Sequence, residues 1–312
     1  MIRMHKAIRE AVISGLKTSL YLASIMVPVS FGVAILKWSG ILAWISRFLA
    51  PIMKLLGLPG EAAIVIVSAM ALNVYSAVAV METLALSIRE ITILGIMSVS
   101  AHNLFIESAV MKKTGSSASK MIILRIVSGI VLAAIFNYLL PKAPISQLAV
   151  QQSAFNLAGF MPVFTEWAIS TAKLLLKIVL LVLLIMVGQR LLDELGIIRF
   201  LSKLTGPLMK VFGLDKSASF LWLVVNTAGY AYGAGVIIDQ VKSGRMKSQD
   251  ADLFNHHAAV CHSLLEDTAL LLAIGVSLFW LTIPRFLLAI AVVWLERLRR
   301  RLFKDSFRVG TA

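Results

Sequence analysis

Long apolar runs constrain this chain more than any other feature. Ala118–Leu140 and Leu174–Gly188 lie near the ~20 residues that a bilayer-spanning helix needs. Hydrophobic residues make up 59% of the 312 positions and charged residues 15%. A soluble domain is about 45–50% apolar and about 25% charged. A soluble fold would leave apolar surface uncovered, so the lipid bilayer is the expected partner. No central run alternates polar and apolar residues as a barrel strand does. The expected class is therefore an all-α polytopic membrane protein.

The formal charge of +14 would suggest nucleic acid in a soluble protein. Here the cations flank the apolar runs: Arg3, Lys6 and Arg9 at one end, and Arg297, Arg299, Arg300, Arg301 and Lys304 at the other. That is the positive-inside pattern, with both termini cytoplasmic and no nucleic-acid partner. One cysteine, Cys261, rules out an intrachain disulfide. The N-terminal segment has basic residues and then an apolar run, without a small-residue cleavage pattern. It reads as a first membrane helix and not a signal peptide.

The chain repeats itself. Pro51-Ile-Met-Lys-Leu-Leu-Gly57-Leu58 matches Pro207-Leu-Met-Lys-Val-Phe-Gly213-Leu214 at an offset of 156 residues, which also pairs Lys17 with Lys173 and Gly32 with Gly188. Further on the offset is 160: Ala101-His-Asn-Leu-Phe-Ile-Glu-Ser108 lies over Cys261-His-Ser-Leu-Leu-Glu-Asp-Thr268, and Arg125 over Arg285. The expected organisation is a first repeat over 1–140, an external connector over 141–165, a second repeat over 166–301 and a basic cytoplasmic tail over 302–312. Cytoplasmic ends around a nearly uncharged connector require an odd number of crossings in each repeat, hence inverted topology.

Each half reads as a long apolar helix (Ile13–Leu36, Trp167–Arg190) and then an amphipathic interfacial segment (Ile41–Gly57, Ile197–Gly213). A second apolar helix (Glu61–Met81, Ala218–Ile238), a His-containing segment (Ile91–Met111, Leu253–Gly275) and a last helix (Lys120–Leu140, Ser277–Leu298) follow. Four apolar segments are an even number, so one must be re-entrant, broken, or paired with the amphipathic segment as a fifth crossing. The polar His segment is the expected one, because irregular backbone at membrane depth needs a cavity. Lys242, Arg245 and Lys247 cut against three crossings, since that scheme puts them in an outside loop.

Ionisable residues inside apolar segments are functional candidates. The first half supplies His102, Asn103, Glu107 and Ser108; the second supplies His262, Ser263, Glu266, Asp267 and Thr268. Asn103 with Glu107, and His262 with Glu266, are i, i+4 pairs on one helix face. Inverted symmetry would bring the two clusters together near mid-depth. Asn73, Tyr75 and Ser76 resemble Asn226, Thr227, Tyr230 and Tyr232 and are further solute-contact candidates, principally Asn73 and Asn226. The competing reading is structural, with polar side chains holding helices together and the acids paired to Arg125 and Arg285.

A divalent metal has some basis in the sequence. His262 and Glu266 could ligate together, with His256 and His257 nearby. In the first half, His102 and Glu107 are five residues apart and diverge by about 140° on an unbroken helix. No phosphate-cradling Gly-x-x-x-x-Gly-Lys is present, so no ATP motor is expected. No spacing points to an enzyme's nucleophile, base and oxyanion donors.

At these residues the chain resembles the nucleoside-recognition, or Gate, family, which is related to the spore maturation proteins A and B and to membrane segments of nucleoside and ferrous-iron transporters. The carriers are Pro51–Gly57 with Glu61, Asn73-Val-Tyr-Ser76, and Ser100-Ala-His-Asn103 through Glu107-Ser108. The second half shows Pro207–Gly213, Asn226–Gly235 and Cys261-His-Ser-Leu-Leu-Glu-Asp-Thr268. The resemblance implies two tandem Gate-like copies in a bacterial cytoplasmic (inner) membrane. The expected function is transport or facilitated passage of a small polar solute: nucleoside-like, an organic ion or a metal. No cofactor is expected beyond a coupling proton or cation. The alternative is a non-transporting assembly or regulatory protein whose polar clusters are structural. A homo-oligomer is compatible with either.

Overall fold

The computed structural model describes residues 2–142 and 159–303. Most of the connector and the end of the basic tail lie outside the described residues. The described residues form fifteen helices and no strand. In the first half these are α1 (Ile2–Trp38), α2 (Ile41–Leu55), α3 (Ala62–Ala71), α4 (Val74–Thr83), α5 (Ile88–Ala101), α6 (Leu104–Lys113) and α7 (Ala118–Leu139). In the second they are α8 (Phe160–Glu194), α9 (Ile197–Leu204), α10 (Gly206–Val211), α11 (Ala218–Ala228), α12 (Tyr230–Lys242), α13 (Ser248–Val260), α14 (Leu264–Leu272) and α15 (Leu278–Phe303). The protein is an all-α polytopic membrane protein. Among the described residues, five stretches are long and apolar enough to cross a bilayer: 4–38, 88–113, 118–139, 160–194 and 278–303. Leu20, Leu176, Leu180 and Leu184 on α1 and α8 point outward, as lipid-facing side chains do.

Matching long helices of the two halves run in opposite directions. Along α1 and α8, Glu10 meets Arg190 at 3.4 Å, Ser30 accepts from the Trp167 indole at 3.1 Å, and the rings of Trp38 and Phe160 are 5.2 Å apart. Along α7 and α15, Lys120 meets Glu296 at 2.8 Å and Phe136 meets Trp280 at 5.2 Å. We call the side of Glu10, Arg190, Lys120 and Glu296 the basic side, and the other the connector side.

Glu61–Met81 and Ala218–Ile238 are not single helices. Asn73 ends α3 by adopting an extended backbone and capping α4: its side chain accepts from the Ser76 amide at 2.8 Å. Gly229, at φ 84° and ψ 164°, separates α11 from α12 in a region that only glycine occupies readily. Each pair folds back on itself, and Gly233 packs directly on Val225. Glu61, at the start of α3, accepts from Ser46 of α2 at 2.5 Å. Thr83, at the end of α4, shares a small cavity with Lys37 and Glu166. Both ends of the first hairpin are therefore on the connector side. The second hairpin opens to the basic side, where Asp215, Ala218, Met246, Asp250 and Arg297 line one cavity.

The apolar segment folds back on itself in each half, and the His segment is broken as expected, between α5 and α6 and between α13 and α14. The loop carrying Lys242, Arg245 and Lys247 lies on the basic side, where Met246 and Arg297 line one cavity.

The amphipathic segments keep an apolar stripe outward, with Ile41, Trp44, Phe48, Ile52 and Leu55 exposed on α2, as interfacial helices do. The second such segment is split at Thr205, just ahead of Pro207, into α9 and α10.

Candidate functional site

Two helix breaks build the centre. Asn103 (φ 45°) and Ser263 (φ 50°) are the only non-glycine residues with positive φ among the described residues. Left-handed backbone costs about 1–2 kcal/mol outside glycine and is most tolerable in short polar residues. Each break is tied to the neighbouring hairpin: the Asn103 amide donates to Ala69 at 2.8 Å, and that of Ser263 to Val225 at 3.2 Å.

A broken helix leaves carbonyls without partners, and in lipid water cannot supply them. Two fully buried arginines do. Arg125 donates to the Ser100 carbonyl at 3.1 Å and to that of His102 at 2.6 Å, and Arg285 donates to the His262 carbonyl. The residues matched at an offset of 160 thus perform the same local task.

The break also redirects the imidazoles. Five residues apart, His102 and Glu107 would diverge on a continuous helix. Here His102 Nε2 lies 3.3 Å from Glu107 Oε1. His262 does not pair with Glu266 as expected. Its Nε2 lies 3.3 Å from Glu107 Oε2, and the two imidazole rings are 5.0 Å apart. Arg125 completes the group at 2.7 Å from Glu107 Oε2. One carboxylate of the first half thus meets imidazoles from both halves. Asp267 lies 3.8 Å from Arg285 and within electrostatic reach of His102 and Glu107.

Around this centre several buried polar atoms have no protein hydrogen-bond partner. They are Ser108 Oγ, Arg125 Nη1, Asn226 Oδ1, Asp267 Oδ2, Thr268 Oγ1, and Arg285 Nε and Nη1. Ser108 and Thr268, and the two arginines, are matched positions.

Other expected residues are placed nearby. Glu266 is half-buried and accepts from the Tyr75 hydroxyl at 2.8 Å, beside a cavity of about 120 Å³ that also touches Thr18, Gln189 and Ala228. Ser263 sits near Gly229 at the tip of the second hairpin. Asn73 is occupied in capping α4, and the Asn226 amide donates to the Trp222 carbonyl at 2.9 Å. Nothing is described of the Tyr232 side chain.

The expected metal set of His256, His257, His262 and Glu266 does not converge. His257 Nε2 accepts from the Trp222 indole at 2.9 Å, and its ring packs on Phe212. His256 points to the basic side, 3.7 Å from Glu296 and next to Asp252. Adjacent residues on a helix diverge by about 100°, so the His256-His257 pair serves two environments.

Sequence reasoning missed a polar chain that leaves the centre. The ring of Tyr230 is 6.0 Å from that of His262, and its hydroxyl donates to Asn255 at 2.7 Å. Asn255 donates to Thr114 at 2.8 Å and to Ser116 at 2.9 Å; Ser116 donates to Asp252 at 2.5 Å. Asp252 also pairs with Arg300, and Glu296 with Lys120, Arg299 and Arg300. Asn255 and Asp252, i, i+3 on the segment that also carries His256 and His257, were the available signal.

Fold and site define a class: a polytopic α-helical membrane protein with broken helices around a buried polar centre. The chain belongs to the Gate family, described as nucleoside recognition, whose match covers residues 19–142. A similar protein is the uncharacterized membrane protein YvoD of Bacillus subtilis (strain 168), 30% identical over 291 residues, covering 92% of this chain and 93% of YvoD. No solved structure matches.

Proposed function

We propose that the protein is a transporter or facilitator of a small polar solute, working as two inverted copies around the central site. One observation carries this: buried donors and acceptors without partners cluster where the helix breaks of both halves meet. An isolated buried polar group costs about 1–3 kcal/mol when unpaired. A purely structural polar cluster is expected to satisfy its own members. Here carboxylate, hydroxyl, amide and guanidinium atoms stay available for a guest with both donors and acceptors. Family membership supports a transport-associated role without naming the solute.

The cations support cytoplasmic termini in a bacterial inner membrane. Lys112, Lys113, Lys120, Lys242, Arg245 and Lys247 join Arg297–Arg301 on the basic side.

The test is flux in proteoliposomes across a panel of nucleosides, organic ions and divalent metals, after ligand-induced thermal shifts have ranked them. The double variant Glu107→Gln plus Asp267→Asn should lose flux, whereas Tyr21→Phe on the exposed face of α1 should retain it. Undiminished flux in the double variant overturns the role given to these residues.

A second reading, a non-transporting assembly or regulatory protein, has one observation in its favour. Leu22, Met26, Val78, Ile93 and Leu271 belong to one packed apolar cluster. Absence of flux for every solute in the panel would favour it.

A further inference from the structure

We propose that His102, Glu107 and His262 form a binding site for one divalent transition-metal ion, bridging the two halves. Ligand atoms of these three residues all lie within 4.8 Å of one another. His102 is 6% exposed, Glu107 9% and His262 0%.

The hydrogen bonds fix the tautomers. His102 Nδ1 faces the Ser98 carbonyl at 3.2 Å, and His262 Nδ1 faces the Ala258 carbonyl at 2.6 Å. A carbonyl oxygen only accepts, so both Nδ1 atoms carry hydrogen. In neutral imidazoles both Nε2 lone pairs then point at the Glu107 carboxylate. Lone pairs facing a carboxylate from two sides repel until a proton or a metal cation lies between them, and one metal ion can serve both rings at once. Arg125 lies 2.7 Å from Glu107 Oε2, while His262 Nε2 has no hydrogen-bond partner.

The spacing fits an ion. Each Nε2 lies 3.3 Å from a Glu107 oxygen, long for a charge-assisted hydrogen bond of about 2.7–2.9 Å. Two ligands about 2.0–2.1 Å from one tetrahedral ion sit roughly 3.3 Å apart. The surroundings match those of metal-bound histidines, which donate their other ring N–H to a backbone carbonyl, while the ligating carboxylate is itself hydrogen-bonded. Arg125 supplies that contact at Glu107. Two imidazoles and one carboxylate suit Zn²⁺, Fe²⁺ or Co²⁺ over Mg²⁺ or Ca²⁺ and leave a coordination position open. The other close trio, Asp252, His256 and Glu296, is a poorer candidate because Lys120, Arg299 and Arg300 already engage its carboxylates.

The ion shares the proposed transport site, but its binding is measured without flux, so the two readings fail separately. Purified full-length protein in detergent, dialysed against Zn²⁺, should retain about one ion per chain by elemental analysis. Co²⁺ should give the visible absorption of a four- or five-coordinate ion. His102→Gln and His262→Gln should each weaken Zn²⁺ binding roughly 100-fold or more and abolish Zn²⁺-dependent thermal stabilisation. Glu266→Gln and His256→Gln should bind as the parent does. If the histidine variants fail to fold, X-ray absorption of the Zn²⁺-loaded parent decides, with two imidazoles expected in the first coordination sphere. No stoichiometric binding, undiminished binding in the histidine variants, loss in His256→Gln, or fewer than two imidazoles overturns the proposal.

Discussion

Arg125 and Arg285 carry the logic of the molecule at the scale of the residue. Their match was visible in the sequence as one more pair at the repeat offset, and ion pairing with the acids was foreseeable. Their bonds to the His102 and His262 carbonyls were not, because those carbonyls are free only if the helix breaks there. Replacing Arg125 by Met should cost about 3–5 kcal/mol, the range for breaking a buried pair. It leaves Glu107 without its cation and two carbonyls without a donor. The expected readout is loss of monodisperse protein or a large fall in melting temperature in detergent; a melting curve like the parent's would refute the capping role. Gly229→Ala forces a side chain into backbone that favours glycine and should cost about 1–3 kcal/mol, read as a lower melting temperature. An unchanged value would show that the hairpin tip relaxes freely. The histidines were legible as a group and illegible as individuals. His256 and His257 are neighbours in sequence and face different surroundings, whereas His102 and His262 are far apart in sequence and share one carboxylate.

At the scale of the element, the sequence marks the helices well and the breaks poorly. The interfacial segments announce themselves by cations on an apolar stripe, and α7 and α15 by length. The folded-back hairpins do not, because Glu61–Met81 is mostly apolar with no Gly or Pro at its break. What ends α3 is Asn73, a capping residue whose preference competes with helix continuation. The loop cations Lys242, Arg245 and Lys247 were the clue that the matching segment turns back, and they looked like a contradiction until it did. The hairpins lead to a sidedness prediction. In a Cys261→Ala background, Ser243→Cys and Arg301→Cys should label from the same face of sealed vesicles, and Lys142→Cys from the other. Labelling of Ser243→Cys from the Lys142 face would mean that Ala218–Lys242 crosses the membrane.

At the scale of the whole molecule, the course of the chain explains why a site exists at all. Helices α1 and α8 run antiparallel, as do α7 and α15, so each broken segment approaches mid-depth from the opposite side. The breaks then face each other, and first-half Glu107 reaches second-half His262. Offsets and loop charge led to the expectation of inverted halves, and the matched long helices do run antiparallel. The asymmetry was not foreseeable: the polar chain from Tyr230 through Asn255 and Ser116 to Asp252 runs only toward the basic side among the described residues. The central claim is that oppositely directed halves meet through His102 and His262, and thiol cross-linking at mid-depth tests it most directly. In the Cys261→Ala background, His102→Cys plus His262→Cys should be bridged rapidly by a short bifunctional thiol reagent, as should the control pair Phe136→Cys plus Trp280→Cys. Bridging of the control pair with none between positions 102 and 262 would contradict it.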